Sequence, residues 1–221
     1  MDPHACDVLL AAYFKKMEQD GGVHIKILEA PHVLPMRRSD KTGTVDLSSR
    51  DRENARAWFL YDEHDPTNTE PMMMESTTQY YYGLDDSFEL VRQYFKEIYE
   101  SSQMQEKHPT HPTNVLASVL GFSQGATFVH ILLSHPEFQS QIHSAIFMSG
   151  FRSQHAEFSS TDSSIPSLHF IGSKDTRVVP VRSEALASSF VRPQIHRHNK
   201  GHGIPKSQAD IAVLLDFLNT T

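Results

Sequence analysis

The sequence predicts an α/β protein: a mostly parallel sheet with helices on both faces. Three observations carry that expectation. Segments of helical and of strand periodicity alternate along the chain. The runs Val115–Leu120, Ala145–Met148 and Leu168–Ile171 are short and nearly all apolar, as strands covered on both faces must be. Helical stretches at about 124–134, 181–190 and 205–219 separate or follow them.

Taken in order, Val8, Leu9, Ala12, Tyr13 and Met17 recur at helical spacing within Ala5–Met17, and Gly21-Gly22 ends that segment. Val23, Ile25 and Ile27 alternate with His24 and Lys26, the period of a strand over 23–28, which Ala30-Pro31 stops. Residues 36–83 carry charge, proline, Met72–Met74 and Tyr80–Tyr82 without sustained periodicity, so they read as an irregular insertion of lid-like character within a single domain spanning 1–221. Asp85–Glu100 is the next helix: Phe88, Val91, Tyr94, Phe95 and Ile98 share one stripe, and Asp85 and Asp86 suit its N-terminal end. The repeat His108-Pro109-Thr110-His111-Pro112-Thr113-Asn114 forbids helix and reads as a solvated loop. Gln194–His198 is a weaker strand near the end.

Composition excludes several classes of function. With 221 residues the chain suits one domain, and 38% apolar residues against 21% charged ones give it a real core. Twenty Lys+Arg face 27 Asp+Glu, and the net charge of −7 argues against nucleic acid or an anionic membrane as partner. No apolar run approaches the ~18 residues of a membrane span. The lone Cys6 forms no internal disulfide and no export signal is evident, so the expected compartment is reducing: the cytoplasm, or the nucleus. Oligomeric state is not readable.

The most informative residues are Gly121-Phe122-Ser123-Gln124-Gly125, a G-x-S-x-G that follows an apolar strand and opens a helix. That context separates a nucleophile elbow from a chance match. The sharp turn forces the serine into strained dihedrals, and the flanking glycines remove side chains that would collide. Ser123 Oγ then points off the sheet, and the Gln124 backbone N–H, at the helix N-terminus, can donate to an oxyanion.

A serine hydroxyl needs a base, and the base needs an orienting carboxylate. In the α/β-hydrolase order the acid and then the histidine follow the serine. Asp175 lies just beyond the strand Leu168–Ile171 in a glycine-containing loop; it is the candidate acid, with capping of the helix near Val181 as its alternative role. Among 14 histidines, His202 stands between Gly201 and Gly203, whose freedom lets the backbone turn and carry an imidazole over a neighbouring loop. It is the candidate base. His108, His111, His135 and His155 read as surface histidines. The spacing His196-x-His198-x-x-x-His202 raises a metal, but no carboxylate or cysteine pattern accompanies it and another role already fits His202, so no metal is expected.

Gly121–Ala126, Met148-Ser149-Gly150-Phe151, Pro166–Gly172 followed by Asp175, and Gly201-His202-Gly203-Ile204-Pro205 together resemble the FSH-type hydrolases, the "family of serine hydrolases" branch of the α/β-hydrolase fold. Glu29-Ala30-Pro31-His32 and Arg56-Ala57-Trp58-Phe59 are similar to further segments of that family. The resemblance implies a cofactor-independent esterase acting on small carboxylic esters or thioesters of acyl substrates, with Ser123, Asp175 and His202 in the triad positions. It also marks a departure. The family opens with an apolar strand and a Leu-His-Gly-like loop that supplies a second oxyanion N–H, whereas here a helix pattern begins within a few residues of Met1. That strand would lie between those at 23–28 and 115–120. Either the chain is a shortened form or something else fills the gap. Loss of one oxyanion donor costs on the order of 100-fold to 1,000-fold in turnover, which motivates the alternative of a hydrolase-derived binding or regulatory protein. A peptidase is a third reading without a supporting feature.

Several apolar residues stand near the elbow in sequence or in prospect. Phe122 either lines the site or packs behind the elbow. Phe151 and Trp58 are further pocket candidates, and Met72–Met74 and Tyr80–Tyr82 suit either an acyl wall or the packing of a loop.

Overall fold

The computed structural model describes residues 25–34, 55–61, 80–105, 117–159 and 163–221. The helix expected at 5–17 and the loop 108–114 fall outside these residues, as do Met72–Met74.

Four strands form one sheet in the order β3-β4-β5-β6, every neighbouring pair parallel. They are β3 (Ala117–Phe122), β4 (Ile142–Met148), β5 (Ser167–Gly172) and β6 (Pro193–His198). A separate antiparallel pair joins β1 (His32–Val33) to β2 (Arg56–Ala57). The helices are α1 (Leu84–Gln105), α2 (Gln124–Ser134), α3 (Pro136–Gln139), α4 (Pro180–Ala187) and α5 (Gln208–Thr220).

Side chains alternate along a strand, so a sheet covered on both faces divides its apolar residues between two cores. In β4, Ala145 and Phe147 enter one core with Phe88, Val91 and Phe95 of α1, Phe128, Ile131 and Leu132 of α2, and Leu186 of α4. Ile146 and Met148 point the other way, to Leu168 and Phe170 of β5 and to Leu214 and Phe217 of α5. Helix α2 is buried at every position from Ala126 to Leu133, as a helix lying between a sheet and another helix must be. The near-complete burial of β4 and β5 explains why Ala145–Met148 and Leu168–Ile171 read as nearly all-apolar runs.

One expectation is corrected. Residues 25–30 are described and form no strand. The alternation does not give one covered face: Ile27 is 58% exposed, while Ile25 packs on the α5 core and Leu28 on the α1–α2 core. Within 36–83 the described residues are 55–61 and 80–83, and several of them are packed on the domain. Phe59 is wholly buried, Leu60 and Tyr82 exchange backbone hydrogen bonds of 2.9 Å in both directions, and Tyr81 is 6% exposed. Among the described residues no helix is long and apolar enough to cross a membrane, and β3 has a sheet neighbour on one side, β4.

Candidate active site

The chain turns from β3 into α2 at Ser123, whose φ of 54° and ψ of −119° lie in a region that side chains other than glycine's rarely adopt. The turn is tight because Gly121 permits it. A Cβ there would stand 2.4 Å from the Gly125 carbonyl oxygen and 2.5 Å from the Ala126 nitrogen, both immovable backbone. The Ser123 N–H donates to the Met148 carbonyl at 2.9 Å, fixing the elbow to the end of β4, and the Ser123 carbonyl accepts from Ala126 and Thr127 N–H. Gln124 is the first residue of α2, where a helical N–H has no acceptor within the helix.

Asp175 follows β5 and His202 follows β6, so both loops emerge at the carboxyl edge of the sheet beside the elbow. The Ser123 hydroxyl lies 3.1 Å from His202 Nε2, and His202 Nδ1 lies 2.8 Å from Asp175 Oδ2. These distances make one hydrogen-bonded chain: the serine O–H donates to Nε2 and the Nδ1–H donates to the carboxylate. The other oxygen of Asp175 accepts the N–H groups of Arg177 and Val178, each at 2.9 Å. Asp175 therefore braces its own loop and does not cap α4, whose N-cap is Val179. Asp175 is 4% exposed. Burial works to raise its pKa, but the hydrogen bond from His202 and those from the Val178 and Arg177 N–H groups outweigh it and hold the group below the ordinary aspartate value. The two loops are laced together: Ser173 N–H donates to His198 O at 2.8 Å and Lys174 N–H to Lys200 O at 3.1 Å.

The glycines beside His202 do not act through conformational freedom. Neither Gly201 nor Gly203 has a positive φ. Gly201 serves close approach, since a Cβ there would meet the Lys174 carbonyl oxygen at 3.3 Å, and Gly203 faces open space. Of the other histidines, His196 donates to Asp210 Oδ1 at 2.8 Å, and Ser207 and Asp210 cap α5 reciprocally. His135 caps α3 with its Nδ1. His155 is buried, not a surface residue: it stacks on Phe158 with ring centroids 5.0 Å apart, and burial lowers its pKa. Among the described residues no cluster of three or more His, Cys, Asp or Glu is arranged to hold a metal.

The pocket candidates take different positions. The Phe122 ring meets the His202 ring at 4.9 Å and also packs on the α5 core, so it reaches both places considered for it. Phe151 is buried, with the Arg182 guanidinium 4.6 Å above its ring and its carbonyl accepting the Thr127 hydroxyl. Trp58 stacks on Phe128 of α2 at 4.5 Å, nearly coplanar. A contact that sequence reasoning missed is the Gln124 side chain. Its Oε1 accepts the Trp58 N–H at 2.9 Å and its Nε2 donates to the Phe59 carbonyl at 3.0 Å.

Comparison with known proteins agrees with this geometry. Residues 10–213 match the model of the family described as serine hydrolase (FSH1). The chain is similar to the proteins named Esterase OVCA2 from Danio rerio, 29% identical over 89% of this chain and 83% of that protein, and from Xenopus tropicalis, 28% identical over 90% and 80%. Among solved structures, a carboxylesterase from Mesorhizobium loti shares the fold with a TM-score of 0.52 at 17% identity, over 77% of this chain and 71% of that one. A strained serine between strand and helix, hydrogen-bonded through a histidine to a buried aspartate, thus stands in a chain that belongs to the FSH1 serine hydrolase family.

Proposed function

We propose that this serine hydrolase cleaves small carboxylic esters or thioesters through an acyl-enzyme on Ser123. The observation that carries the proposal is the unbroken chain from Ser123 Oγ to His202 at 3.1 Å and from His202 to Asp175 at 2.8 Å. Relatives that bear the name esterase support the choice of an ester or thioester carbonyl.

In the first half-reaction the Ser123 proton passes to His202 Nε2 as Oγ bonds to the acyl carbon, and the carbonyl electrons become an oxyanion. The Gln124 N–H, unclaimed at the start of α2, donates to that oxyanion. Asp175 accepts from Nδ1 throughout, which keeps the correct tautomer and stabilises the imidazolium. Collapse breaks the bond to the alcohol or thiol, which leaves with the proton from Nε2. Water then attacks the acyl-enzyme, gives its proton to Nε2, and the serine departs with that proton as the carboxylic acid is released.

Labelling with a fluorophosphonate tests the nucleophile. The wild type is expected to label and Ser123→Ala not to; equal labelling of both removes Ser123 from this role. Pre-steady-state release of p-nitrophenol from esters of several chain lengths tests the intermediate: a burst is expected, and its absence at every length favours the binding-protein alternative.

A further inference from the structure

We infer that the Gln124 side chain is a positioning residue for catalysis: its carboxamide locks the oxyanion-donating peptide of the elbow to the segment 58–60. The inference rests on the hydrolase reading above and adds to it a side chain outside the triad.

The Trp58–Phe59 backbone is bent so that one N–H and one carbonyl face the same way, and the Gln124 carboxamide satisfies both at once, at 2.9 and 3.0 Å. A single flexible side chain is thereby fixed at both of its polar atoms. What it grips is itself immobile. The Ser87 hydroxyl of α1 donates to the Trp58 carbonyl at 2.5 Å, Leu60 is bridged to Tyr82, and the buried Phe59 ring stacks on Tyr81 at 4.2 Å. The Trp58 indole lies against Phe128 and comes within 3.3 Å of where a Gly125 Cβ would stand, so the same segment also flanks the first turn of α2. The Tyr61 hydroxyl approaches the same carboxamide, and burial holds that phenol in its neutral form.

Residue 124 is where this matters. Its backbone N–H must face the oxyanion, and the peptide that carries the N–H belongs to the strained Ser123 turn. An oxyanion donor is effective when it is oriented before the charge develops. Anchoring the side chain of the same residue to a rigid neighbour supplies that orientation from outside the elbow. The contribution appears in the transition state and not in ground-state binding, so it should move kcat and leave KM in place.

The experiment compares wild type, Gln124→Met and Gln124→Glu. Active sites are counted by fluorophosphonate titration, and kcat, KM for a p-nitrophenyl ester and inhibition by a trifluoromethyl ketone, which forms an oxyanion on the serine, are measured per titrated site. Gln124→Met keeps the length and loses both hydrogen bonds. It is expected to titrate fully, to lose on the order of 10-fold to 100-fold in kcat per site with KM within about twofold, and to weaken ketone inhibition by the same factor. Gln124→Glu keeps the acceptor for Trp58 but sets a carboxylate against the Phe59 carbonyl. Protonating it restores a donor, so its kcat relative to wild type should rise as pH falls. Normal kcat per titrated site in Gln124→Met, whether the sites are full or fewer, overturns the inference. Should that variant not fold, a pH-independent ratio for Gln124→Glu overturns it equally. A wild type that neither labels nor turns over defeats the hydrolase reading first and this inference with it.

Discussion

The ring of Phe122 rests 4.9 Å from that of His202, inclined by 39°, so the residue before Ser123 touches the imidazole to which the Ser123 hydroxyl is hydrogen-bonded. An imidazole flanked by a ring has fewer orientations open to it. Phe122→Ala is expected to lower kcat by about tenfold through loss of that constraint, and Phe122→Leu, which keeps most of the bulk, by less. Steady-state kinetics of the two variants side by side checks this.

Asp175 divides its oxygens between His202 and the N–H groups of Arg177 and Val178. An asparagine keeps one carbonyl oxygen for the loop but presents an amide to Nδ1, which reverses the imidazole tautomer. Asp175→Asn should lose about four orders of magnitude in kcat while melting within a few degrees of wild type. A comparable loss of folding and of activity would assign Asp175 to loop structure alone.

The backbone at Ser123 holds a positive φ that glycine adopts freely. Ser123→Ala and Ser123→Gly both delete the hydroxyl, yet only the second relieves the dihedral. Thermal denaturation should therefore find Ser123→Gly the more stable of the two inactive proteins, by about 1 kcal/mol or a few degrees.

Two histidines are buried in the main core. His130 in α2 and His169 in β5 both have pKa values lowered to about 3, chiefly because burial penalises the charged ring; Arg152 adds to this for His130, and His130 does so for His169. The unfolded chain takes up these protons near pH 6.5 and the folded chain only near 3. Between those values the unfolded state binds more protons, so stability is full above about pH 6.5 and falls as pH drops toward 3, by up to ~1.4 kcal/mol per histidine per pH unit. Urea denaturation at pH 7.5 and pH 5 should show the loss, and His169→Leu should reduce its steepness. Asp175 and Asp210, whose values are lowered, add to it only below about pH 4.

Much of the site was legible in the sequence because its signals are local. A G-x-S-x-G between an apolar strand and a helix, an aspartate just past the next buried strand but one, and a histidine in the loop after the last strand each announce themselves within a few residues. The central strands were legible for the same reason, since β4 and β5 are almost wholly buried and the stretches Ala145–Met148 and Leu168–Ile171 within them are nearly all apolar. What sequence could not supply was set by long-range contact. The alternation at 23–28 looks like a strand until Ile27 is found exposed and Ile25 and Leu28 in different cores. The grip of Gln124 on Trp58 and Phe59 spans 65 or more residues and has no local pattern. One signal was available and passed over: Ser207-Gln208-Ala209-Asp210 is a serine followed three residues later by an acid, the mark of the reciprocal cap that starts α5.

The lacing of the Asp175 loop to the His202 loop has a mechanical meaning. Two backbone hydrogen bonds join the Asp175 loop to the His202 loop, whereas Ser123 follows β3, two ladders from the strand that precedes Asp175. The carboxylate and imidazole are held to each other by main chain as well as by their own hydrogen bond, and the gap between Nε2 and Oγ is the span that the lacing does not set.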